Sequence, residues 1–395
     1  MKKGWQIKTL GEVLQKTETV NPLQSPDAEF DYIDVSSVSN ATFQIEATQR
    51  LKGKDAPSRA RKLVRANDVL FATVRPTLQR IAVVPEHLDA QVCSTGYFVL
   101  RPEAGIDHRF VFYFLFTEDF MGQVECLQRG ASYPAVTDGD VRAQMIAIPP
   151  LPEQQRIVDI LDKAFEGIAT AKASAERNLQ NARALFMSQL KSVFEQGGEC
   201  ARLAELATEI TDGDHSPPPK AASGVPFVTI SDIDKSTRTI IFGNTFFVPT
   251  HYFHNLKPNK KPKSGDVLYT VTGATLGIPV LVKDGVDFCF QRHIALIRPS
   301  ARTDSTWLSY ALLSPQVFRQ ATEGSTGAAQ RTVSLGLLRG IRVPKVSLPD
   351  QRAIAGKLDA LVEETRRLES AYQKKLAALG ALKRSLLHEA FTGNL

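Results

Sequence analysis

Cysteine is scarce in this chain of 395 residues, and its spacing excludes two kinds of site. The four cysteines, Cys93, Cys126, Cys200 and Cys289, form no Cys-x-x-Cys pair. This pattern argues against a disulfide framework and against a zinc cage. We therefore expect no bound metal and a cytoplasmic location, and we expect Cys93 and Cys289 to serve as small buried hydrophobes.

Long apolar runs are missing as well. The longest strongly apolar run, residues 110–116, is far too short to span a bilayer. No apolar stretch follows the first basic residues, so a signal peptide is not expected. The hydrophobic fraction of 43% is ordinary for a globular protein, and the length leads us to expect two or three domains.

Motifs that carry catalysis are also absent from the sequence. It contains no phosphate-binding Gly-x-x-x-x-Gly-Lys-Ser/Thr loop, and no Gly-x-Gly-x-x-Gly follows a predicted strand. Asn21-Pro22-Leu23 begins like the Asn-Pro-Pro-Tyr box of adenine methyltransferases but lacks its second proline and its aromatic residue. Asp212-Gly213-Asp214-His215 has no analogue earlier in the chain, which favours a polar turn over a metal site. We expect a chain that performs no chemistry and binds no cofactor itself.

What the chain does have is an internal duplication. Residues 151–157, Leu-Pro-Glu-Gln-Gln-Arg-Ile, match residues 348–354, Leu-Pro-Asp-Gln-Arg-Ala-Ile, 197 positions later. Other matches keep the same order: residues 68–70 with 266–268, Arg101 with Arg298, and Tyr113 with Tyr310. Small drifts in the offset indicate insertions in loops. The sequence therefore predicts one large unit used twice rather than a short-period solenoid.

Each copy ends in a long helical stretch. Between Glu153 and Gln196 the only helix breaker is Gly167, and apolar residues recur at alternating steps of four and three, the pattern of a coiled-coil seam. Some 40 residues predict a rod of roughly 60 Å. The residues expected to pair the helices are Ile157, Leu161, Ala164 and Ile168 in the first helix and Ile354, Leu358, Leu361 and Leu368 in the second.

The two helices most simply pair with each other. Pairing is antiparallel and the molecule pseudo-twofold if the globular copies lie at opposite ends of the rod; alternatively, each seam binds a helix of another protein. A second apolar face lies beside the seam, and it either serves partner subunits or the globular copies or completes a local helix bundle; it consists of Phe165, Leu179, Leu185, Phe186, Leu190 and Phe194.

The globular copies are predicted to be α/β or α+β. We place the first at residues 1–150 and the second at 199–346, with the helices at 151–198 and 347–395. Within each copy, strand-like runs precede one aromatic-rich helix, expected at 109–127 and at 306–321.

Two loops differ between the copies, and basic residues cluster before them. Residues 74–80 and 128–133 correspond to 271–277 and 324–331, and loops on a rigid scaffold are where recognition is expected. Residues 50–65 hold seven basic side chains with Asp55 as the only acid, and lysines recur at 257–263. A solvated loop explains either cluster alone, but recurrence in both copies favours phosphate contact.

The repeated motif resembles that of a known family. Residues 148–154 (Ile-Pro-Pro-Leu-Pro-Glu-Gln) and 343–351 (Val-Pro-Lys-Val-Ser-Leu-Pro-Asp-Gln), each opening a long helix after an Asp-Val-Leu strand, resemble the specificity subunit of type I restriction–modification systems. The resemblance covers nearly the whole chain. It departs at residues 345–347, where a compact proline pair is usual, and at Asn67, where glycine is usual.

The resemblance implies a division of labour. Each globular copy is a target recognition domain that reads one half of a split sequence in double-stranded DNA. The paired helices set the gap and dock two methyltransferase (modification) subunits, which use S-adenosylmethionine, while restriction subunits add translocation and cleavage with ATP and Mg²⁺. Half-site spacing on a duplex fixes helical phase as well as distance, so a rigid spacer makes physical sense. Alternatives are the recognition subunit of another DNA modification system and a coiled-coil adaptor with no DNA role.

The expected DNA contacts follow from the loops and the basic clusters. In the first copy they are Arg75, Thr77, Gln79, Arg80 and Tyr133, and in the second Thr272, Thr275, Gln330 and Arg331. The phosphate-contacting candidates are Lys52, Lys54, Arg59, Lys260, Lys261 and Lys263.

Overall fold

The computed structural model describes residues 4–195, 198–326 and 331–395 and divides into two compact units. The first unit runs from the N-terminus to Glu176 and includes Gln373–Leu395, and the second spans Arg177–Tyr372. Each unit therefore contains a globular copy together with one segment of each long helix. No helix in the described residues is both long and apolar enough to cross a membrane.

The elements of the first copy follow the predicted order of strands and then helices. Its strands are β1 (Gln6–Thr9), β2 (Glu29–Ile33), β3 (Gln49–Lys52), β4 (Ala60–Leu63), β5 (Val69–Ala72), β6 (Ile81–Val83), β7 (Val92–Ser94), β8 (Tyr97–Leu100) and β9 (Met145–Ile148). Its helices are α1 (His108–Phe114), α2 (Glu118–Leu127) and α3 (Asp138–Arg142), and the long helix α4 (Leu151–Phe194) follows.

The second copy repeats this plan. Its strands are β10 (Cys200–Arg202), β11 (Ala207–Asp212), β12 (Val225–Val228), β13 (Ile233–Asp234), β14 (Thr239–Ile240), β15 (Phe246–Val248), β16 (Val267–Thr270), β17 (Pro279–Leu281), β18 (Cys289–Phe290), β19 (Ile294–Pro299) and β20 (Arg342–Pro344). Its helices are α5 (Leu203–Leu206), α6 (Thr250–Asn255), α7 (Ser305–Leu313), α8 (Pro315–Glu323), α9 (Leu335–Gly340) and the long α10 (Leu348–Thr392).

Small sheets divide each copy into layers. In the first unit, the sheets are ordered β3-β2-β7-β4 and β6-β5-β8, and β1 pairs antiparallel with β9. In the second, they are ordered β11-β19-β16-β17, β15-β12-β18 and β13-β14, and β10 pairs antiparallel with β20. Most pairs are antiparallel, and the β2–β7 and β12–β18 pairs are parallel. The pairs β1–β9 and β10–β20 bring the two ends of each copy together beside the start of its long helix.

The central strand of each copy is buried on both faces. In β5, Val69 and Phe71 pack into the core that includes α1 and α2, whereas Leu70 and Ala72 pack into a second core on the opposite face. Successive side chains of a strand point to opposite faces, so a fully apolar run suits a strand with a core on each side. Cys93 belongs to the second core and is fully buried, and Cys289 is also buried, as predicted.

The long helices contribute to the core of each unit. In the first, Ile157 and Leu161 of α4 share a core with Leu387 and Ala390 of α10, and Arg156 donates a hydrogen bond to the Leu395 carbonyl oxygen at 2.5 Å. In the second, Leu358 shares a core with Leu190 and Phe194, and Arg183 pairs with Glu369 at 2.7 Å.

In both units, early residues of one helix thus meet late residues of the other, so the predicted antiparallel pairing is confirmed within each unit. The other predicted pairing residues, Ala164, Ile168, Ile354, Leu361 and Leu368, are half-buried. Burial along the middle of α4 falls on Ala175 and Ala182, seven residues apart, in keeping with a heptad.

The prediction of a single aromatic-rich helix in each copy was wrong, because each copy has two shorter helices there: α1 and α2 in the first, α7 and α8 in the second. The Thr117 side chain caps the start of α2 by accepting a hydrogen bond from the Phe120 amide. The Ser314 side chain caps the start of α8 by accepting one from the Val317 amide, and Pro315 is the first helical residue. A hydroxyl cap followed by a helix-starting proline marks a new helix and not the continuation of an old one.

Candidate nucleic-acid interface

A buried ion pair anchors the strands that carry the variable loops. Asp68, just before β5, accepts two hydrogen bonds from Arg101 at 2.9 and 2.8 Å, and its side chain is only 1% exposed. Asp266 and Arg298 repeat the arrangement at 2.9 and 2.7 Å. Each aspartate also accepts a backbone N–H three residues earlier, which fixes the turn into the strand. The repeated Asp-Val-Leu therefore marks a structural lock, and the loops beyond it begin from the same frame in both copies.

The two loops predicted to vary are hydrogen-bonded to each other in the first copy. The Arg75 amide donates to the Pro134 carbonyl at 2.7 Å, and the Val136 amide donates to the Thr73 carbonyl at 3.0 Å. Val74 and Ala135 form the bridge between these bonds. The loop after β5 and the loop after α2 thus form one paired surface, although some 60 residues separate them in the sequence.

The second copy builds the same surface from its own loops. The Val333 amide donates to the Val271 carbonyl at 2.9 Å, and the Gly273 amide donates to Arg331 at 3.2 Å. Thr272 and Thr332 form the corresponding bridge. Different loop sequences are therefore mounted on one backbone scaffold.

The backbone of the first loop is left-handed at two residues that carry large polar side chains. Arg75 has φ 49° and Gln79 has φ 52°, on either side of the 3₁₀ turn Pro76–Leu78. The corresponding residues of the second copy are Gly273 (φ 77°) and Gly277 (φ 91°), which adopt this conformation without strain. A left-handed non-glycine residue costs roughly 1–2 kcal/mol. Strain of this kind is typical of functional loops.

The paired loops of the first copy present a stacked pair to solvent. The Arg75 guanidinium carbon lies 4.9 Å from the centre of the Tyr133 ring, and Tyr133 is 70% exposed. Thr77 is exposed and Gln79 is half-buried. Arg80 points elsewhere: its guanidinium donates to the carbonyl oxygens of Val35, Ser36 and Val38. Arg75, Thr77, Gln79 and Tyr133 are thus brought to one place, and Arg80 stabilises a neighbouring turn.

The second copy presents a different set of side chains. Arg331 is exposed, Thr275 is half-buried and Thr272 is buried, and Gln330 lies outside the described residues. The hydroxyl oxygens of Thr272 and Thr275 are buried, and neither has a hydrogen-bond partner among the described residues. A cavity of about 340 Å³ opens beside Thr272, and its lining includes His215, Arg292 and His293.

The two basic clusters differ in how much of their charge is free. Lys52, Lys54 and Arg59 of the first copy are exposed. The Arg59 carbonyl oxygen accepts a hydrogen bond from the Thr95 amide, and the carbonyl oxygen of Gly96, the residue after Thr95, accepts one from the Thr73 amide. These bonds place Arg59 close to the base of the 74–80 loop.

In the second copy, Lys263 is exposed, whereas two lysines are held by carbonyl oxygens at 2.9 Å, Lys260 by Gly213 and Lys261 by His254. The polar turn predicted at residues 212–215 is not formed: Asp212 ends β11, Asp214 forms a parallel bridge with Gln291, and the His215 ring contacts the Asp212 carboxylate at 2.7 Å. Within the described residues, no cluster of three or more metal-ligating side chains is present.

Known proteins resemble this chain along its sequence. A family model described as the type I restriction modification DNA specificity domain matches residues 2–177. The specificity subunit of the type I restriction enzyme HindI of Haemophilus influenzae is 30% identical over 138 residues, which cover 34% of this chain and 30% of that protein. The MjaVIII specificity subunit of Methanocaldococcus jannaschii is 24% identical over 315 residues, which cover 73% of this chain and 71% of that protein. The HindI match thus spans less than a third of that relative.

Solved structures resemble it over its full length. A chain from a type I R-M system is 30% identical with a TM-score of 0.86, and the match covers 100% of this chain and 99% of that one. The HsdS subunit from Thermoanaerobacter tengcongensis is also 30% identical, with a TM-score of 0.72 and coverage of 100% and 98%. This chain belongs to the HsdS family of type I DNA-specificity subunits.

In this HsdS chain, the repeated Leu-Pro-Glu/Asp-Gln motif is structural. Gln154 accepts a hydrogen bond from the Asp107 amide at 2.8 Å and donates to the carbonyl oxygens of Gly105 and Pro149. Gln351 makes the corresponding three bonds with Asp304, Arg302 and Val346. Both glutamines are at most 2% exposed. Each therefore holds the first turn of a long helix against the globular copy, which explains why the motif is found twice.

Sequence reasoning missed several side chains of the candidate interface. Arg292 and His293 were not singled out because they follow β18 in a segment without a recognisable motif, and only the fold brings them beside Thr272. The stacking of Tyr133 on Arg75 was equally hidden. One available signal was the alignment of Arg75 and Gln79 with Gly273 and Gly277, which indicates a left-handed backbone at both positions.

Proposed function

We propose that this chain is the non-catalytic specificity subunit of a type I restriction–modification complex, with residues 1–150 and 199–346 as two target recognition domains. Each domain reads one half of a bipartite sequence in double-stranded DNA. The observation that carries the proposal is the pair of hydrogen-bonded loops, built at the same place in both units and carrying different side chains. One scaffold with two distinct reading surfaces suits an asymmetric split target.

The side chains on these surfaces suit base and phosphate contact. A guanidinium such as that of Arg75 bonds guanine edges in two places, and Gln79 suits adenine. Tyr133 holds the Arg75 guanidinium in a stacked position, which limits the freedom it loses on binding. In the second domain, Arg331, Arg292 and His293 take the reading role, together with Thr272 and Thr275. Lys52, Lys54, Arg59 and Lys263 contact phosphates.

The helices, residues 151–198 and 347–395, set the gap and dock partner subunits. Leu185 and Leu382 lie 197 residues apart at equivalent positions of the repeat, and they are 48% and 47% exposed. An exposed apolar residue repeated at the same position suits two copies of one partner. These partners are two methyltransferase subunits carrying S-adenosylmethionine, and the restriction subunits supply ATP and Mg²⁺ chemistry in the cytoplasm.

Mapping methylated adenines in the host, with and without this gene, tests the reading function. We expect deletion to remove one split, asymmetric motif from the methylome. Arg75→Ala should change the first half of that motif only, while Arg352→Ala, at an exposed position on α10, should leave the motif unchanged. An unchanged methylome, together with a lack of salt-dependent DNA binding by the assembled complex, would sink the proposal.

The number of bound methyltransferase subunits tests the docking role. Leu185→Glu and Leu382→Glu should each lower the count from two to one, as measured by native mass spectrometry of the assembled complex. Leu23→Glu serves as the control, because Leu23 is 49% exposed but lies outside the helices. Retention of both partners by both variants would remove these leucines from the docking surface.

A further inference from the structure

Each globular copy carries a short hairpin with a strained residue near its tip. In the first, Val38 and Ile45 bridge the hairpin, and Phe43 has φ 57°. In the second, β13 and β14 form the hairpin, and Arg238 has φ 54°. The amide of each donates to a carbonyl four residues earlier, Phe43 to Ser39 at 3.0 Å and Arg238 to Asp234 at 2.9 Å. Phe43 and Arg238 thus occupy equivalent positions, and both hold a large side chain where glycine is less strained.

In the first unit, Phe43 helps to surround a lysine of the long helix α10. The Lys383 ammonium nitrogen lies 4.8 Å from the centre of the Phe43 ring, 5.0 Å from Phe165 and 5.6 Å from Phe116. Across the described part of the chain, Lys383 forms no ion pair, and burial lowers its pKa from the ordinary value. Attraction to the faces of three aromatic rings stabilises the partly desolvated charge.

In the second unit, the hairpin supplies the cation. The Arg238 guanidinium carbon lies 5.4 Å from the Tyr310 ring centre and 5.9 Å from that of Phe186 on α4. Burial is also the main influence on Arg238 and lowers its pKa. A partly buried guanidinium over two rings is the same kind of contact with the partners reversed.

The cation and the ring change places between the two units at equivalent positions of the repeat. Phe186 and Lys383 lie 197 residues apart, so the helix position that is aromatic in the second unit is cationic in the first. The remaining rings of the first cage, Phe116 and Phe165, correspond to Leu313 and Val362 in the second copy, where the cation comes from the hairpin.

Exchanging the hairpins would remove both contacts. Arg238 would face Lys383 as a like charge in a partly desolvated place, which is unfavourable. Phe43 would face Phe186 without a cation between them. Each hairpin residue therefore matches the helix residue of its own unit and not the equivalent helix residue of the other unit.

We propose that the pairs Phe43–Lys383 and Arg238–Phe186 are keyed contacts, which make each recognition domain dock only on its own segments of the long helices and hold its reading loops at a fixed angle to them. The unfavourable pairs that an exchange would create make docking specific. The native cation–ring contacts fix the angle between each recognition domain and its helix segments. Phe43 and Arg238 are positioning residues in this scheme.

A charge-and-ring exchange in the full-length chain tests the keying. Phe43→Arg alone sets two cations together and Lys383→Phe alone removes the cation, so each should lower the Tm, by about 2–4 °C per kcal/mol lost in a unit of this size. The double variant recreates the pairing of the second unit and should recover most of that loss. Lys375→Phe, at an exposed position on the same helix, is the control and should not respond to Phe43→Arg. Losses that simply add in the double variant would overturn the keyed contact.

The gap between half-sites gives a second readout, which rests on the proposed DNA-reading function. Methylation by the assembled complex would be measured on targets whose gap is native, one base pair shorter or one base pair longer. Phe43→Arg should broaden the accepted gaps at unchanged half-sites, and the double variant should restore the native preference. An unchanged gap preference in every variant would overturn the angular role. If the unaltered complex fails to discriminate half-sites at all, the reading function fails and the thermal test of keying still stands.

Discussion

At Arg75 and at Gln79, the backbone geometry and the proposed DNA recognition favour different side chains. The left-handed backbone favours glycine, as the second copy has at both equivalent positions. We expect Arg75→Gly to raise the Tm by about 2–4 °C, since relief of this strain is worth about 1 kcal/mol, and to abolish recognition of the first half-site. Thermal denaturation and methylation of a target library measure the two effects.

The second copy provides the matched comparison for that variant. Gly277→Ala should destabilise the protein, because the new Cβ would lie 2.6 Å from a ring carbon of Phe318 and the backbone there is left-handed. An Arg75→Gly variant that is less stable than the native chain would show that the left-handed backbone at Arg75 is not strained.

The ion pair between Asp68 and Arg101 depends on burial for its importance. We expect Arg101→Met to reduce the free energy of unfolding by about 3–5 kcal/mol, because it leaves the Asp68 carboxylate buried without its partner. The matched change Arg50→Met, in a pair whose arginine side chain is 60% exposed, should cost less than about 1 kcal/mol. Urea denaturation of both variants checks the contrast. Equal losses would mean that burial does not set the strength of these pairs.

At the scale of elements, the start of each long helix is held by one glutamine. Gln154→Ala removes three hydrogen bonds and leaves the half-buried Asp107 amide without its partner, which should cost about 1–3 kcal/mol. Gln155→Ala, at the next and exposed position, should have almost no effect. Hydrogen exchange of the first turn of α4 provides the measurement. Similar protection in both variants would mean that Gln154 does not hold the start of the helix.

How far the sequence predicted these elements depends on how local their causes are. The duplication, the long helices and the buried strands β5 and β16 follow from periodicity and from the repeated motifs. The break between α1 and α2 was missed, although the capping hydroxyl of Thr117 is a local signal that the sequence contains. The pairing of the variable loops was beyond prediction, because residues 74 and 135 meet only through the fold. The cage around Lys383 was hidden for the same reason, since its members lie at positions 43, 116, 165 and 383.

At the scale of the whole molecule, the residue boundaries of the compact units differ from those of the globular copies. The first unit includes Gln373–Leu395, and its core contains Leu387 and Ala390 beside Ile157 and Leu161. A globular copy taken as residues 1–150 thus leaves part of its hydrophobic contact surface behind on the helices. This matters for any exchange of recognition domains between relatives.

We therefore predict different outcomes for two kinds of exchange with a related subunit. Replacing residues 1–150 alone should change the first half-site and leave the second unchanged, but with a lower Tm, because foreign side chains must pack on native Leu387, Ala390 and Lys383. Replacing residues 1–176 together with 373–395 should change the same half-site without that loss, since each core and the contact to residue 383 come from one source. Methylome mapping and thermal denaturation of the two chimaeras measure both effects. A change in both half-sites would contradict the two-reader arrangement, and equal stability of the chimaeras would show that the helix segments do not discriminate between recognition domains.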